Sequence, residues 1–272
     1  IVFDCSDPGC VSADTEFLTP TGWKRIDAYA PGDRVAQFHP DEREIEFVEP
    51  LTYVKKPCAE LIHIAPARGT SQRLSPEHRV LYYDEYGDYY VCSAAEYMTE
   101  LHRVGPNHLK RKFACTFGVR NTPGIDAPDQ VLRLMVAVIA DGHFNSKSTR
   151  CVIRIKKERK IERLHRLLAQ ASVPYSSRQC KSAEGFVVFI FYAPWREKEF
   201  GPAWWQATQH QLEVIASELP HWDANVSVRG DASSVRFSTT VEASADFAQY
   251  AFAAAKMPAS MASTARIERL SI

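Results

Sequence analysis

Residues 10–26 read CVSADTEFLTPTGWKRI. Within them Phe17 and Leu18 precede Thr19-Pro20-Thr21-Gly22, and Trp23, Lys24 and Arg25 follow. Proline presets one turn dihedral and glycine admits a positive φ, so the stretch predicts two short strands joined by a tight turn. The same texture continues outward. DRVAQFHP at 33–40, EIEFVEPLTYV at 44–54, ELIHIAPARG at 60–69 and HRVLYYDEYGDYYV at 78–91 are short runs of Val, Ile, Tyr and Phe, broken by Pro, Gly and Asp. Closely spaced runs of that composition predict an all-β region.

The 272 residues have zero formal net charge, but the charge is unevenly placed. Residues 1–100 hold 9 Lys/Arg and 18 Asp/Glu, and residues 101–272 hold 24 and 15, giving −9 and +9. Two halves of opposite sign suggest two domains with different work, the basic one able to meet a polyanion, although on charge alone a neutral protein with uneven surface charge is the better reading. At 45% hydrophobic and 24% charged the chain has material for a real core, which excludes a disordered or collagen-like polymer. No uninterrupted apolar run of about 18 residues occurs, so no membrane span is expected. Seven cysteines stand singly at 5, 10, 58, 92, 115, 151 and 180 with no CxxC pair, which argues against a zinc ribbon. With no signal-peptide pattern, they read as free thiols in a reducing, cytoplasmic compartment.

A lone Cys is ordinarily a small buried hydrophobe, and a lone His beside a turn an exposed polar residue. Here Gly9-Cys10-Val11-Ser12-Ala13-Asp14-Thr15 is followed by Leu74-Ser75-Pro76-Glu77-His78-Arg79-Val80. Taken in order, these resemble the N-terminal splicing region of an intein, the HINT fold shared with hedgehog-type autoprocessing domains. The first stretch resembles the opening block with Cys10 as residue one. The second resembles the Thr-x-x-His block, with Ser75 keeping the hydroxyl and His78 the imidazole. The resemblance covers about 90 residues and implies an all-β HINT domain over 10–118, with 1–9 left over from a host protein.

The chemistry implied is an N–S acyl shift. The Cys10 thiolate would attack the carbonyl of Gly9, the substrate residue, and turn the amide into a thioester. His78 would protonate the departing amine, and Ser75 would hydrogen-bond and hold the scissile peptide. Gly9 offers no side chain to crowd the attack. Asp7-Pro8-Gly9 fits the start of a phosphate-binding loop, so the host extein is expected to be a P-loop nucleotide triphosphatase if Gly-Lys-Ser/Thr follows the second junction.

Residues 116–130, TFGVRNTPGIDAPDQ, change the character of the sequence, and 119–128 read as a linker. From Asp129 a helix apolar on nearly all sides runs to Gly142, with Asp129 as its cap and Gly142 as its end. Its last part, LMVAVIADG at 134–142, resembles the LAGLIDADG motif of the homing endonucleases that interrupt inteins. CVIRIKKERKIERLHRLLAQASVPYS at 151–176 reads as a strand and an amphipathic helix with Ile161, Leu164, Leu167 and Leu168 on one face, and FVVFIFYAPW at 186–195 as a further strand. QHQLEVIASELPHW at 209–222 and SSVRFSTTVEASADFAQYAFAAA at 233–255 repeat that order, aligning Asp223 with Asp141. The implied domain is α+β over 129–272, with two αββαββ repeats.

In that family two such helices lie side by side and bring their terminal acids together. Close carboxylates repel unless they share a cation, so Asp141 and Asp223 would hold Mg²⁺ for site-specific cleavage of double-stranded DNA, one strand per acid. Residues 145–166 carry nine Lys/Arg against Glu158 and Glu162. Lys157 resembles the active-site lysine, and Lys147, Arg150, Arg154, Lys156 and Lys160 are the expected phosphate contacts. The second repeat has Ser238-Thr239-Thr240 in place of the lysine, which implies nicking or lost cleavage.

The resemblance also implies elements not found in the sequence. No His-Asn step precedes the end, and the last endonuclease strand is expected to be missing. The reading is therefore a truncated frame or the N-terminal piece of a split intein that would need a C-terminal intein fragment, from a prokaryotic or phage-encoded gene. Two other classes compete. One is a DNA-binding or DNA-nicking LAGLIDADG protein without splicing, and the other is a β-plus-α protein with no activity.

Overall fold

The computed structural model describes residues 9–65, 71–105, 109–145, 147–180, 183–222, 224–229, 232–264 and 267–271. The chain divides into two compact units, Ile1–Asn121 and Thr122–Ile272. The division falls inside the stretch read as a linker. Residue 119 itself belongs to a strand, and 122–125 are tied to the second unit, through Thr122 Oγ1 to Ala207 O at 3.0 Å and Ile125 N to Gln211 Oε1 at 2.9 Å.

The first unit is built from hairpins. Strands β1 (Glu16–Thr19) and β2 (Gly22–Arg25) pair antiparallel around the Thr-Pro-Thr-Gly turn. Gly22 has φ +132°, and Thr19 Oγ1 donates to Gly22 O at 2.7 Å, so the turn uses its glycine for conformation and its threonine for closure. β3 (Val35–His39) pairs antiparallel with β4 (Glu44–Val48), which pairs parallel with β9 (Gly118–Val119). Between them in the chain lie the hairpins β5 (Ile62–Ile64) with β6 (Gln72–Leu74), and β7 (Arg79–Tyr83) with β8 (Tyr89–Ser93).

The expected all-β region carries one helix, α1 (Ala94–Val104). Its signal is local: Ser93 caps the Glu96 backbone N–H, and Glu96 returns to the Ser93 N–H at 2.8 Å. The helix buries Ala94 and Tyr97 against Ile64, Leu74 and Val80.

The second unit repeats one supersecondary pattern. Helix α2 (Asp129–Asp141), strands β10 (Gly142–Phe144) and β11 (Arg150–Ile155), helix α3 (Glu158–Gln170), and strands β12 (Tyr175–Gln179) and β13 (Val187–Tyr192) make the first copy. Helix α4 (Gln209–Glu218), strands β14 (Ala224–Arg229) and β15 (Ala232–Thr239), helix α5 (Glu242–Ala254), and strands β16 (Ser260–Thr264) and β17 (Ile267–Ser271) make the second. Each copy closes a four-stranded antiparallel sheet in the same order, β10-β11-β13-β12 and β14-β15-β17-β16. The strand expected to be missing is therefore present as β17, paired with both β15 and β16.

Helix α2 forms the core of this unit. Leu132, Leu134, Met135, Val136, Ala137 and Val138 are fully buried, which explains why the helix is apolar on nearly every side. Its N-cap is Pro128 with no side-chain cap bond, so Asp129 is the first helical residue rather than the cap. Gly142 follows the last turn at a place where a Cβ would lie 2.4 Å from Val138 O and 3.0 Å from Cys151 Sγ, so only glycine lets the chain pass from α2 into β10. On the other side Phe200, Trp204, Trp205, Phe247 and Tyr250 form a packed aromatic cluster. Among the described residues no helix is long and apolar enough to cross a membrane.

Candidate functional site

In the first unit the chain enters beside strand β6. Val11 bridges Leu74 antiparallel, Ser12 N donates to Arg73 O at 3.0 Å, and Ser75 N donates to Cys10 O at 2.8 Å. These bonds fix the register of residues 10–12 against 73–75, and with it the peptide joining Gly9 to Cys10. The N–H of that peptide donates to Ser75 Oγ at 2.8 Å. Ser75 is fully buried.

Beyond Ser75 the chain turns tightly, His78 N donating to Ser75 O at 3.0 Å. Helix α1 clamps the turn, since Ala94 N donates to His78 O at 2.8 Å and Ala95 N to Pro76 O at 3.0 Å. The N–H groups of a helix's first turn, which have no partner within the helix, serve here to hold a loop. Gly9 lies against this turn, where a Cβ on it would meet His78 Cα at 2.7 Å and Nδ1 at 2.8 Å. His78 also lines a largely apolar cavity of about 240 Å³ with Phe17, Trp23, Phe38 and Phe113.

Electrostatics around the thiol are mixed. Burial pushes the Cys10 thiol above its ordinary pKa, Lys56 opposes that, and Cys58 and Glu77 add to it. The carboxyl of Glu77 is held below the usual range by its own backbone N–H and then by the Ser75 hydroxyl. Ser75 therefore accepts from the Cys10 amide while its hydroxyl engages Glu77. Sequence reasoning singles out neither Glu77 nor Lys56; the i, i+2 spacing of Ser75 and Glu77 across a Pro-containing turn is a signal that could find Glu77.

In the second unit Asp141 ends helix α2. Its Oδ2 lies 2.5 Å from Lys160 Nζ, with the two side chains 25% and 10% exposed. Lys160 is thus a buried partner of Asp141, not a phosphate contact as expected, because the first turn of α3 directs it into the unit. Lys157 stands at the N-cap of α3 and is exposed, and the ammonium on Asp141 comes from Lys160, three residues further on. The Lys160 ammonium also lies 5.7 Å from the Trp222 ring centroid. Trp222 Nε1 donates to Glu218 Oε1 at 2.9 Å. Glu218 is fully buried and paired with Arg163 and Arg133, the latter at 3.3 Å. Lys198, also absent from the sequence reading, donates to Val138 O at 2.9 Å and Ile139 O at 2.6 Å, opposing the negative end of α2. Asp223 lies outside the described residues.

The outer face of the first sheet has a different character. On β11 Cys151, Ile153 and Ile155 are buried, so Arg150, Val152 and Arg154 point the other way. Register places Tyr192, Ile190 and Val188 of β13 beside them, then Ser176 and Arg178 of β12 beyond and His143 of β10 before. Tyr192 is 65% exposed. Arg154 stacks on Phe186 at 4.7 Å, and Lys156 lies 5.8 Å from the same ring. Lys147 is exposed in the β10–β11 connection. The face carries cations and an aromatic ring and no carboxylate from these strands.

No family model and no curated protein matches the chain. Among solved structures it is similar to full-length DUF199/WhiA from Thermatoga maritima, at 12% identity and a TM-score of 0.41 over 54% of this chain and 53% of that one. It is also similar to the N-terminal LAGLIDADG domain of DUF199/WhiA, at 15% identity and a TM-score of 0.41 over 56% and 78%. This chain thus spans about half the length of the first of these. At such scores function rests on the geometry of this chain's own residues.

That geometry gathers Gly9, Cys10, Ser75 and His78 at one place, and Arg150, Arg154 and Lys156 on or beside one sheet face. It pairs Lys160 with Asp141 and leaves Lys157 exposed. Of residues 1–9, the expected host segment, 1–8 lie outside the described residues.

Proposed function

We propose that the first unit rearranges its own peptide bond at Gly9–Cys10 by an N–S acyl shift, the opening step of protein splicing, and that the second unit binds double-stranded DNA. The observation that carries the first part is the Cys10 N–H bonded to Ser75 Oγ with His78 packed on Gly9. In this step Cys10 Sγ adds to the Gly9 carbonyl carbon as its proton passes to His78. The tetrahedral adduct then collapses with breakage of the C–N bond, and His78 returns the proton to the departing Cys10 amine. One amide becomes one thioester and one amine, with no net change of atoms or charge. Ser75 holds the amide nitrogen in place during the attack, and Glu77 orients the Ser75 hydroxyl.

The test is treatment of the full chain with hydroxylamine, with mass spectrometry for cleavage after Gly9. Wild type is expected to release the segment and Cys10→Ala to release none. Release that persists in Cys10→Ala overturns the reading.

The cationic sheet face of the second unit supports DNA binding through phosphate contacts from Arg150, Arg154, Arg178 and Lys156, with Tyr192 exposed to pack on the duplex. Magnesium-dependent cleavage fits less well. Asp141 is already paired with Lys160, and Asp223, its expected partner in holding an ion, lies outside the described residues. No cleavage step is assigned to Asp141. Binding of a duplex measured by fluorescence anisotropy is expected to survive chelation of divalent ions; binding abolished by chelation would contradict this.

A further inference from the structure

We infer that the first unit accepts only glycine on the acyl side of its scissile bond, because His78 occupies the space in which any other side chain would begin. This rests on the acyl-shift reading and adds the identity of the acyl group to it.

The constraint is steric. A Cβ at residue 9 would lie 2.7 Å from His78 Cα, 2.8 Å from Nδ1 and 3.1 Å from Cβ. Two of these are shorter than the distances real Cβ atoms keep, and the shortest is to backbone. A flexible side chain could swing aside, but this backbone is held at both peptides, His78 N by Ser75 O at 3.0 Å and His78 O by Ala94 N at 2.8 Å. With the wall fixed, the scissile segment must move instead. The bond that suffers is the one between Cys10 N and Ser75 Oγ, and with it the alignment of thiol, carbonyl and imidazole. A displacement of about 1 Å in such a constellation costs on the order of 10²-fold in rate.

The test compares the full-length wild type with Gly9→Ala and Gly9→Val. Hydroxylamine-dependent cleavage is followed by mass spectrometry from mildly acidic to alkaline pH, with unfolding midpoints measured alongside. The expected result is cleavage slowed at least about tenfold in Gly9→Ala and more in Gly9→Val, at every pH, with midpoints lowered no further than the loss of the one hydrogen bond between Cys10 and Ser75 explains. Exchange of the Cys10 amide proton is expected to quicken in both variants as its bond to Ser75 is broken. Wild type without cleavage would defeat the acyl-shift reading itself. Wild type and Gly9→Ala cleaving at equal rates would leave that reading standing and overturn glycine selection. A midpoint in Gly9→Ala lowered well beyond the loss of that one hydrogen bond would also overturn it, because the close approach would then serve folding rather than choice of the acyl group.

Discussion

The two units hold their polar groups in place with different forces. Around Gly9–Cys10 the first unit uses backbone hydrogen bonds between residues 10–12 and 73–75 and a loop clamped by a helix N-terminus. In the second unit the ends of α2 and α4 are held by charge, Asp141 on Lys160 and Glu218 on Arg163 and Arg133. A backbone lattice fixes groups by strand register without a counter-charge, which is what the proposed acyl shift requires. Buried ion pairs neutralise the groups they position, so Asp141 and Glu218 brace the core while Arg154 and Arg178 on the sheet face stay exposed.

That contrast can be broken in several places. The largest effect is expected from Ser75→Ala, which removes the acceptor on the scissile amide. Cleavage should fall on the order of 10²-fold in the hydroxylamine assay while duplex binding stays at the wild-type level. Glu218→Ala is the corresponding cut in the second unit. It leaves two guanidinium groups without their carboxylate, and urea unfolding should show a loss of about 3–5 kcal/mol. A loss within about 0.5 kcal/mol of zero would mean that the pair is not the brace described.

A smaller and graded effect concerns the sheet face. Arg150→Ala, Arg154→Ala and Arg178→Ala together should weaken duplex binding and lower the slope of log affinity against log salt by about three, one for each phosphate no longer neutralised. An unchanged slope would remove this face from the interface. The smallest effect concerns the thiol. Burial raises the Cys10 pKa, so its thiolate is a minority at neutral pH and its share still grows where an ordinary thiol has levelled off. Cleavage of wild type should therefore rise with pH through that region. Lys56→Gln removes the cation that opposes the shift and should move the rising limb to higher pH, a change of a few-fold near neutrality. A limb that moved to lower pH would reverse the assigned sign.

Much of the fold is legible in residue order. The turn at Thr19–Gly22 announces itself because proline fixes a dihedral and glycine admits a positive φ, α2 because it is one long apolar run ended by Gly142, and α3 because its apolar residues recur at helical spacing. Helix α1 escapes such a reading although its capping box stands at Ser93 and Glu96; a β-rich stretch before it masks a signal only four residues long. The final strands β16 and β17 escape for a related reason, since Ser, Ala and Thr at 260–264 have little of the Val and Ile that mark a strand. Pairing with β15 overrides that weak propensity.

What residue order settles is local: which stretches turn, which cap, which alternate, and that glycine stands before Cys10. Partners distant in the chain are settled by folding alone. Lys160 and Lys157 lie three residues apart and carry the same charge, and nothing in the sequence distinguishes them; the first turn of α3 sends one into Asp141 and leaves the other in solvent. Likewise the 65 positions separating Cys10 from Ser75 are bridged by a hydrogen bond that exists only because β6 receives the entering chain. Periodicity constrains direction along one element, whereas contact between elements depends on how their buried faces pack, and that is a property of the whole unit.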